Sequence, residues 1–288
     1  MASSIKKSAV LLLSCPDRKG VVATIAGFIY KHGGNILHAD EHGDLNSNTF
    51  LMRVEFDPAE LDLPLSDFLW HLSPIAKEFD MHWRVALSDV RLRMAILVSK
   101  FDHCLVDLLY RHQSGELACD IPCVVSNHPD SQSIADFYRV PFFLEPVAKE
   151  NKQAAERQIL ALLEREAVDF VVLARYMQIL SPAFVNAYPN RIINIHHSFL
   201  PAFVGAKPYH QAFTRGVKLI GATSHYVTEV LDDGPIIEQD VIRISHRDSL
   251  DDLLQKGRDL EKVVLSRAVR WHIENRILLY GNKTVVFD

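Results

Sequence analysis

Ile193-Asn194-Ile195-His196-His197-Ser198-Phe199-Leu200-Pro201-Ala202-Phe203 decides how this chain is read. An apolar, strand-like run ends by delivering an amide and an imidazole, as strands do at the rim of an open α/β sheet. A second segment, His225-Tyr226-Val227-Thr228-Glu229-Val230-Leu231-Asp232-Asp233-Gly234-Pro235, also leaves an apolar run. It adds the carboxylate of Asp232 just before a turn signal. An amide, an imidazole and a carboxylate together can polarise a carbonyl, stabilise an oxyanion and manage a proton. The pattern implies an enzyme working on an acyl group near neutral pH.

Outward from that stretch, residues 92–288 alternate strand and helix. Strands are expected at 94–98, 121–125, 141–144 and 169–173, with Asn194 and His196 following a further strand at the rim. Helices are expected at 102–112, 131–138 and 149–166, and a long mixed helix at 249–276. Such alternation calls for a mainly parallel sheet with right-handed crossovers, and ligands in such sheets sit beyond the strands' carboxyl ends.

Residues 1–86 read differently, as a small α+β unit in the order βαββαβ. Residues 9–13 form a buried strand, and Cys15-Pro16-Asp17-Arg18-Lys19-Gly20 a turn. Val21, Val22, Ile25, Ala26 and Ile29 mark one face of a helix, which stops at Gly33-Gly34. Phe50, Met52, Val54 and Phe56 alternate with Leu51, Arg53 and Glu55 as a half-buried strand should. A second helix and a last strand complete the unit, and residues 87–91 link it to the next.

At 288 residues, 48% hydrophobic and 23% charged, the chain has the composition of a soluble protein with room for two domains. A net charge of −5 argues against a nucleic-acid partner. No apolar run is long enough to span a membrane, and no secretory pattern is present. The four cysteines form no paired framework and read as buried thiols in a reducing cytoplasm. His38 and His42 have the spacing of helical metal ligands, but their segment reads as strand and turn, where such residues do not converge. No metal is expected.

The Cys15–Gly20 turn, the following helix and the Gly33-Gly34-Asn35 exit resemble an ACT domain. That resemblance implies a homo-oligomer paired through sheets or helices. It also implies a small amino-acid effector near Asp17, Gly33, Gly34 and Asn35; pairing without any effector is the equal alternative. The second unit resembles the folate-dependent formyltransferase family. The match lies in Asn194-x-His196 with Leu200-Pro201-Ala202-Phe203, in His225–Thr228 with Leu231-Asp232 and Gly234-Pro235, and in Leu173-Ala174-Arg175-Tyr176-Met177-Gln178-Ile179-Leu180. It implies Asn194, His196 and Asp232 as the catalytic set. Met177, Gln178, Ile179 and Leu180 become the wall that receives the folate's pterin ring, and His225 and Gly234 support the Asp232 segment. No cofactor beyond the folate substrate is implied.

Family members that act on glycinamide ribonucleotide carry a Gly-rich loop after their first strand, where backbone N–H groups cradle the phosphate. Here that place reads Val98-Ser99-Lys100-Phe101-Asp102-His103-Cys104-Leu105, with no glycine. A phosphate would meet Asp102 instead. Water is then the natural nucleophile, and nearly the whole chain resembles the formyltetrahydrofolate deformylases. The resemblance implies hydrolysis of 10-formyltetrahydrofolate to tetrahydrofolate and formate, with the formate feeding purine synthesis. Asn194 would donate to the formyl oxygen, and a protonated His196 beside Asp232 would add charge. Asp232 would position the attacking water and help deprotonate it. The rivals are a glycinamide ribonucleotide or methionyl-tRNA formyltransferase, and an amino-acid sensor on an inert scaffold. The first lacks its loop and the second its basic RNA-facing extension; the third has no use for the catalytic set.

Overall fold

The computed structural model of the protein describes residues 7–202 and 208–287. Phe203 of the quoted motif lies outside the described residues, as do residues 1–6. The chain forms two units, one from residues up to Arg91 together with Glu274 onward, the other Leu92–Ile273.

In the first unit the elements are β1 (Ala9–Pro16), α1 (Val21–Lys31), β2 (Asn35–Asp44), β3 (Thr49–Asp57), α2 (Leu65–Glu78) and β4 (His82–Leu87). The sheet order is β2-β3-β1-β4 with antiparallel pairing throughout, the βαββαβ plan. One sheet face meets both helices, packing Leu11, Leu13, Met52, Val54 and Phe56 against Ile25, Ile29, Phe68 and Leu72. The Gly33 N–H donates to Tyr30 O at 3.0 Å and the Gly34 N–H to Ile29 O at 2.9 Å, closing α1. Gly33 has φ +75°, and a Cβ there would sit 2.8 Å from Glu60 O. Packing alone therefore requires that glycine. His38 and His42 lie in β2, where four residues span about 13 Å, so their rings do not converge.

The second unit contains β5 (Arg93–Val98), α3 (His103–Gln113), β6 (Asp120–Ser126), α4 (Gln132–Phe137), β7 (Phe142–Leu144), α5 (Lys152–Arg165), β8 (Phe170–Ala174), α6 (Pro182–Ala187), β9 (Ile192–His196), α7 (Pro208–Arg215), β10 (Leu219–Tyr226), β11 (Ile236–Arg243) and α8 (Leu250–Ile273). Its sheet runs β11-β10-β9-β8-β5-β6-β7. The strands from β9 to β7 are parallel, and β10 and β11 are added antiparallel. The chain moves outward from β5 through β6 to β7, then returns to β8 on the other side of β5. That reversal makes a switch point between β5 and β8, where open sheets bind ligands.

The remaining strands, β12 (Ile277–Tyr280) and β13 (Lys283–Val286), pair as an antiparallel hairpin. This hairpin corrects two expectations. The last helix ends at Ile273 rather than at 276, and Asn275 takes a left-handed φ of 54° just beyond it. The residues that follow belong with the first unit, whereas sequence alternation had run the second domain to 288. Leu278, Tyr280, Val285 and Phe287 pack on Val10, Leu12 and Leu51, on the sheet face away from the helices. Leu51 and Arg53 are therefore buried, although their alternation had suggested a solvated face. Arg53 is satisfied there, donating from Nε to Asn275 O at 3.1 Å and from Nη2 to Glu55 Oε2 at 3.0 Å.

Candidate active site

Register builds the site. Antiparallel pairing of β9 with β10 sets Asn194 opposite His225 and His196 opposite Thr223. With side chains alternating along each strand, all four project from one face of the sheet. Asn194 and His196 lie within β9, as its third and last residues, and not beyond it as the sequence suggested. The strand persists because β10 continues the pairing as far as His196.

Asn194 Nδ2 and His225 Nε2 are 3.1 Å apart, and His225 Nδ1 lies 2.9 Å from Tyr226 O. A carbonyl can only accept, so Nδ1 carries a hydrogen; in the neutral ring Nε2 accepts from the amide. One amide hydrogen of Asn194 is used in this way and the second is left over. Asp232 reaches the same face from the β10–β11 loop, with a left-handed φ of 55°. Its Oδ1 lies 3.3 Å from His196 Nδ1 and 3.8 Å from His225 Nε2. The His196 hydrogen bond above all holds Asp232 well below the usual carboxylate range against the opposing effect of burial. His196 is 5% exposed, and its Nε2 is buried with no hydrogen-bond partner among the described residues.

Two local devices hold this geometry. A Cβ on Gly234 would sit 1.7 Å from Tyr226 O and 3.3 Å from His225 Nδ1, so only glycine lets the loop close on the strand that carries His225. Gly234 is the residue expected to support the Asp232 segment. Thr223 Oγ1 donates to Ser198 O at 2.8 Å and accepts from Leu200 N–H at 3.0 Å. Gln239 Nε2 donates both to Thr223 Oγ1 at 3.0 Å and to Leu200 O at 3.1 Å. The segment leaving His196 is thereby tied to β10 and β11. Neither Thr223 nor Gln239 was legible as a site residue, since each acts only through cross-strand neighbours.

The four residues of the expected folate wall split. Met177 and Ile179 are 55% and 60% exposed, while Leu180 packs against the core and Gln178 is half-buried. Ser99 locks the wall to the switch point, accepting from Met177 N–H at 2.9 Å and donating to Asn127 Oδ1 at 2.6 Å. Beside it lies a buried polar cluster that sequence reasoning missed. Glu261 of α8, 1% exposed, pairs with His103 Nε2 at 2.8 Å, accepts from Tyr209 OH at 2.7 Å and faces Arg175 Nε at 3.5 Å. Burial pushes Glu261 upward, but the His103 hydrogen bond, the Arg175 charge and the Tyr209 hydrogen bond hold it below its ordinary value. His103, Cys104 and Glu261 have the spacing of metal ligands, yet the set does not suit a cation. The Arg175 guanidinium stands beside it, and burial keeps the Cys104 thiol protonated.

His197, the next residue along, faces another way. Burial first, then the Arg175 charge, pushes it down to about 4. It borders a cavity of about 380 Å³ formed with Phe199, Tyr209, Ile220 and Val241, which includes none of Asn194, His196 and Asp232.

The formyl transferase family matches residues 92–269, and the ACT domain family residues 9–66. A formyltetrahydrofolate deformylase of Synechocystis sp. is 57% identical over 97% of this chain and 98% of its own. The chain belongs to the formyltetrahydrofolate deformylases. Its fold agrees: the crystal structure of a deformylase from Pseudomonas syringae superposes with a TM-score of 0.96 at 49% identity, covering 100% of this chain and 96% of that one. Glycinamide ribonucleotide transformylase 1 from Symbiobacterium toebii reaches a TM-score of 0.65 at 30% identity and covers 69% of this chain. The ACT domain followed by a mostly parallel formyltransferase sheet is the deformylase architecture.

In the ACT unit, the candidate effector residues do not form one cluster within a single chain. Asp17 precedes α1, whereas Gly33, Gly34 and Asn35 follow it, and the 11-residue helix between them is about 16 Å long.

Proposed function

We infer that this deformylase hydrolyses 10-formyltetrahydrofolate to tetrahydrofolate and formate, and that Asn194, His196 and Asp232 carry the reaction. The observation behind the assignment is the state of His196. One ring nitrogen is committed to Asp232, and the other is buried and unsatisfied beside a spare amide hydrogen of Asn194. A buried donor without a partner costs about 1–3 kcal/mol, and a formyl oxygen resolves that cost.

In the reaction the formyl oxygen accepts from Asn194 Nδ2 and from His196 Nε2–H, and negative charge grows there as water adds to the formyl carbon. Asp232, held as a carboxylate, stabilises the imidazolium of His196 and orients the water by accepting one of its hydrogens. A carboxylate this acidic is a weak base, so the water proton passes on to the folate nitrogen as the tetrahedral intermediate collapses. The nitrogen–carbon bond breaks, and tetrahydrofolate and formate leave. Met177, Gln178, Ile179 and Leu180 supply the folate wall, with Met177 and Ile179 offering apolar surface to the pterin ring. His225 and Gly234 hold Asn194 and Asp232 in place. No metal or further cofactor enters.

We place the enzyme in the cytoplasm as a homo-oligomer, with its formate feeding purine synthesis and no nucleic-acid or membrane partner. No helix among the described residues is long and apolar enough to cross a membrane. Asp17 and the Gly33–Asn35 turn meet one small amino-acid effector only where two copies pair, which couples effector binding to assembly.

The test is formate release from 10-formyltetrahydrofolate by the purified protein without any added acceptor. Wild type is expected to turn over and Asp232→Asn to lose turnover. Asn194→Ala is expected to lose about 10²–10³ in kcat, the effect of one oxyanion donor, with folate binding retained. Release that begins only when glycinamide ribonucleotide is supplied would overturn the hydrolase reading.

A further inference from the structure

Arg175 breaks local rules twice. It takes a left-handed φ of 63° immediately after β8, where a glycine would be unstrained. Its side chain is 9% exposed, yet Nε and Nη1 are buried without a hydrogen bond among the described residues. The 3.5 Å approach of Nε to Glu261 Oε2 is an ion pair, and its hydrogens are not spent on it. Strain and unmet polarity at one residue point to a function that keeps it there.

Its location says which. Val98 pairs with Ala174, and Leu173 with Asn194. Ser99 and Arg175 thus leave β5 and β8 at the same rim of the sheet at which β9 ends with His196. Arg175 therefore leaves β8 at the switch point, on the rim where β9 ends at His196. The Arg175 guanidinium lies 5.4 Å over the Phe101 ring, and Arg258 of α8 lies 5.7 Å from the same ring. Phe101 belongs to the glycine-free segment after β5, the place where ribonucleotide-binding relatives cradle their second substrate. Glu261, fixed by His103 and Tyr209, anchors the assembly from α8.

We propose that Arg175, stacked on Phe101 and anchored by Glu261, plugs the acceptor side of the formyl site and so makes water the nucleophile. The proposal rests on the deformylase reading and names its specificity-determining residues. The plug acts in two ways. It fills the volume that a second organic substrate would need, and its guanidinium, with that of Arg258 across the Phe101 ring, repels amines, which are cationic at neutral pH. Water is small and neutral and passes both barriers.

The experiment is a partition measurement. Substrate with an isotopically labelled formyl group is turned over in excess glycinamide, and the ratio of N-formylglycinamide to formate is read by NMR, with enzyme-free controls. In the amine branch the carbon–nitrogen bond to folate breaks and one to the amine forms; one amine proton goes to the folate nitrogen and charge is conserved. Wild type is expected to give formate with only a small, measurable fraction of N-formylglycinamide. Arg175→Gly, which suits the left-handed backbone, and Phe101→Ala are each expected to raise the ratio by ~10-fold or more, the scale on which pocket filling discriminates substrates. The ratio is independent of how much enzyme is folded, so a purely structural role would not move it. Should Arg175→Gly not fold, Phe101→Ala, at a side chain already 44% exposed, reads the same quantity. Variants that release formate at the wild-type ratio would overturn the plug. Wild type that releases no formate in the absence of glycinamide would overturn the deformylase reading itself.

Discussion

Adding one methyl group at Gly234 is the sharpest probe of the site. A Cβ there would lie 1.7 Å from Tyr226 O, half the 3.4 Å at which ordinary contact begins, and 2.9 Å from Tyr226 C. Both close atoms are backbone, so no rotamer relieves the overlap. The Tyr226 N–H also donates to Pro235 O at 2.9 Å, pinning the strand from the other side. The loop must therefore move by an ångström or more, and it carries Asp232 two residues upstream. Misplacing a catalytic group by about 1 Å costs about 10²-fold in rate. Overpacking of this kind costs about 1–3 kcal/mol of stability, which leaves the protein folded. Gly234→Ala is thus expected to keep its circular dichroism spectrum and lose about 10²-fold in kcat for formate release. Near-wild-type turnover in a folded variant would refute the argument that Gly234 positions Asp232.

Three further outcomes follow from other parts of the structure. Asp232 is more acidic folded than unfolded, where an aspartate titrates near ~3.9, so its stabilising contribution is complete above that value and fades as pH falls through the lower folded pKa. Asp232→Asn should therefore flatten the acid side of the stability profile measured by urea unfolding, and Asp232 should not set the acid limb of the wild-type rate. Ser99→Ala removes the acceptor for Met177 N–H and the donor to Asn127. It should raise KM for the folate by up to ~10-fold, one hydrogen bond's worth, with kcat little changed in steady-state assays. Phe287→Ala, at a side chain 5% exposed, should cost about 3 kcal/mol, visible as a lower urea midpoint, while the rate per folded molecule stays constant.

The proposed catalytic residues announced themselves because their types suit the reaction. An amide and an imidazole at the end of an apolar strand, followed by a carboxylate at a turn, need no tertiary knowledge to be noticed. Their supports were less legible. Thr223 matters only because β9–β10 register puts it opposite His196, and Gln239 only because β11 sits beside β10. No spacing rule reaches from one such strand to another. The hairpin at the C-terminus is a different failure. Leu278-Leu279-Tyr280 and Lys283-Thr284-Val285 flank Gly281-Asn282, a two-residue hairpin signal. It was overrun by extending the helical stripe of α8 three residues past Ile273. The burial of Leu51 and Arg53 was not legible either, because the segment that covers them lies more than two hundred residues away in sequence.

Arg175 joins these two kinds of legibility. It sits inside a motif the sequence reading quoted, between the strand that ends at Ala174 and the wall that begins at Met177, yet its type suggested nothing about folate. Only the left-handed backbone, the unspent guanidinium hydrogens and the ring of Phe101 give it a role. The missing glycines after β5 and the arginine after β8 are then one feature seen from two strands. On the proposal, the first leaves no glycine cradle for a second substrate, and the second occupies the space. On the proposed mechanism, a formyl group activated by Asn194 and His196 reacts with whatever nucleophile reaches it. On this sheet, the rim beside β5 and β8 decides which nucleophile that is.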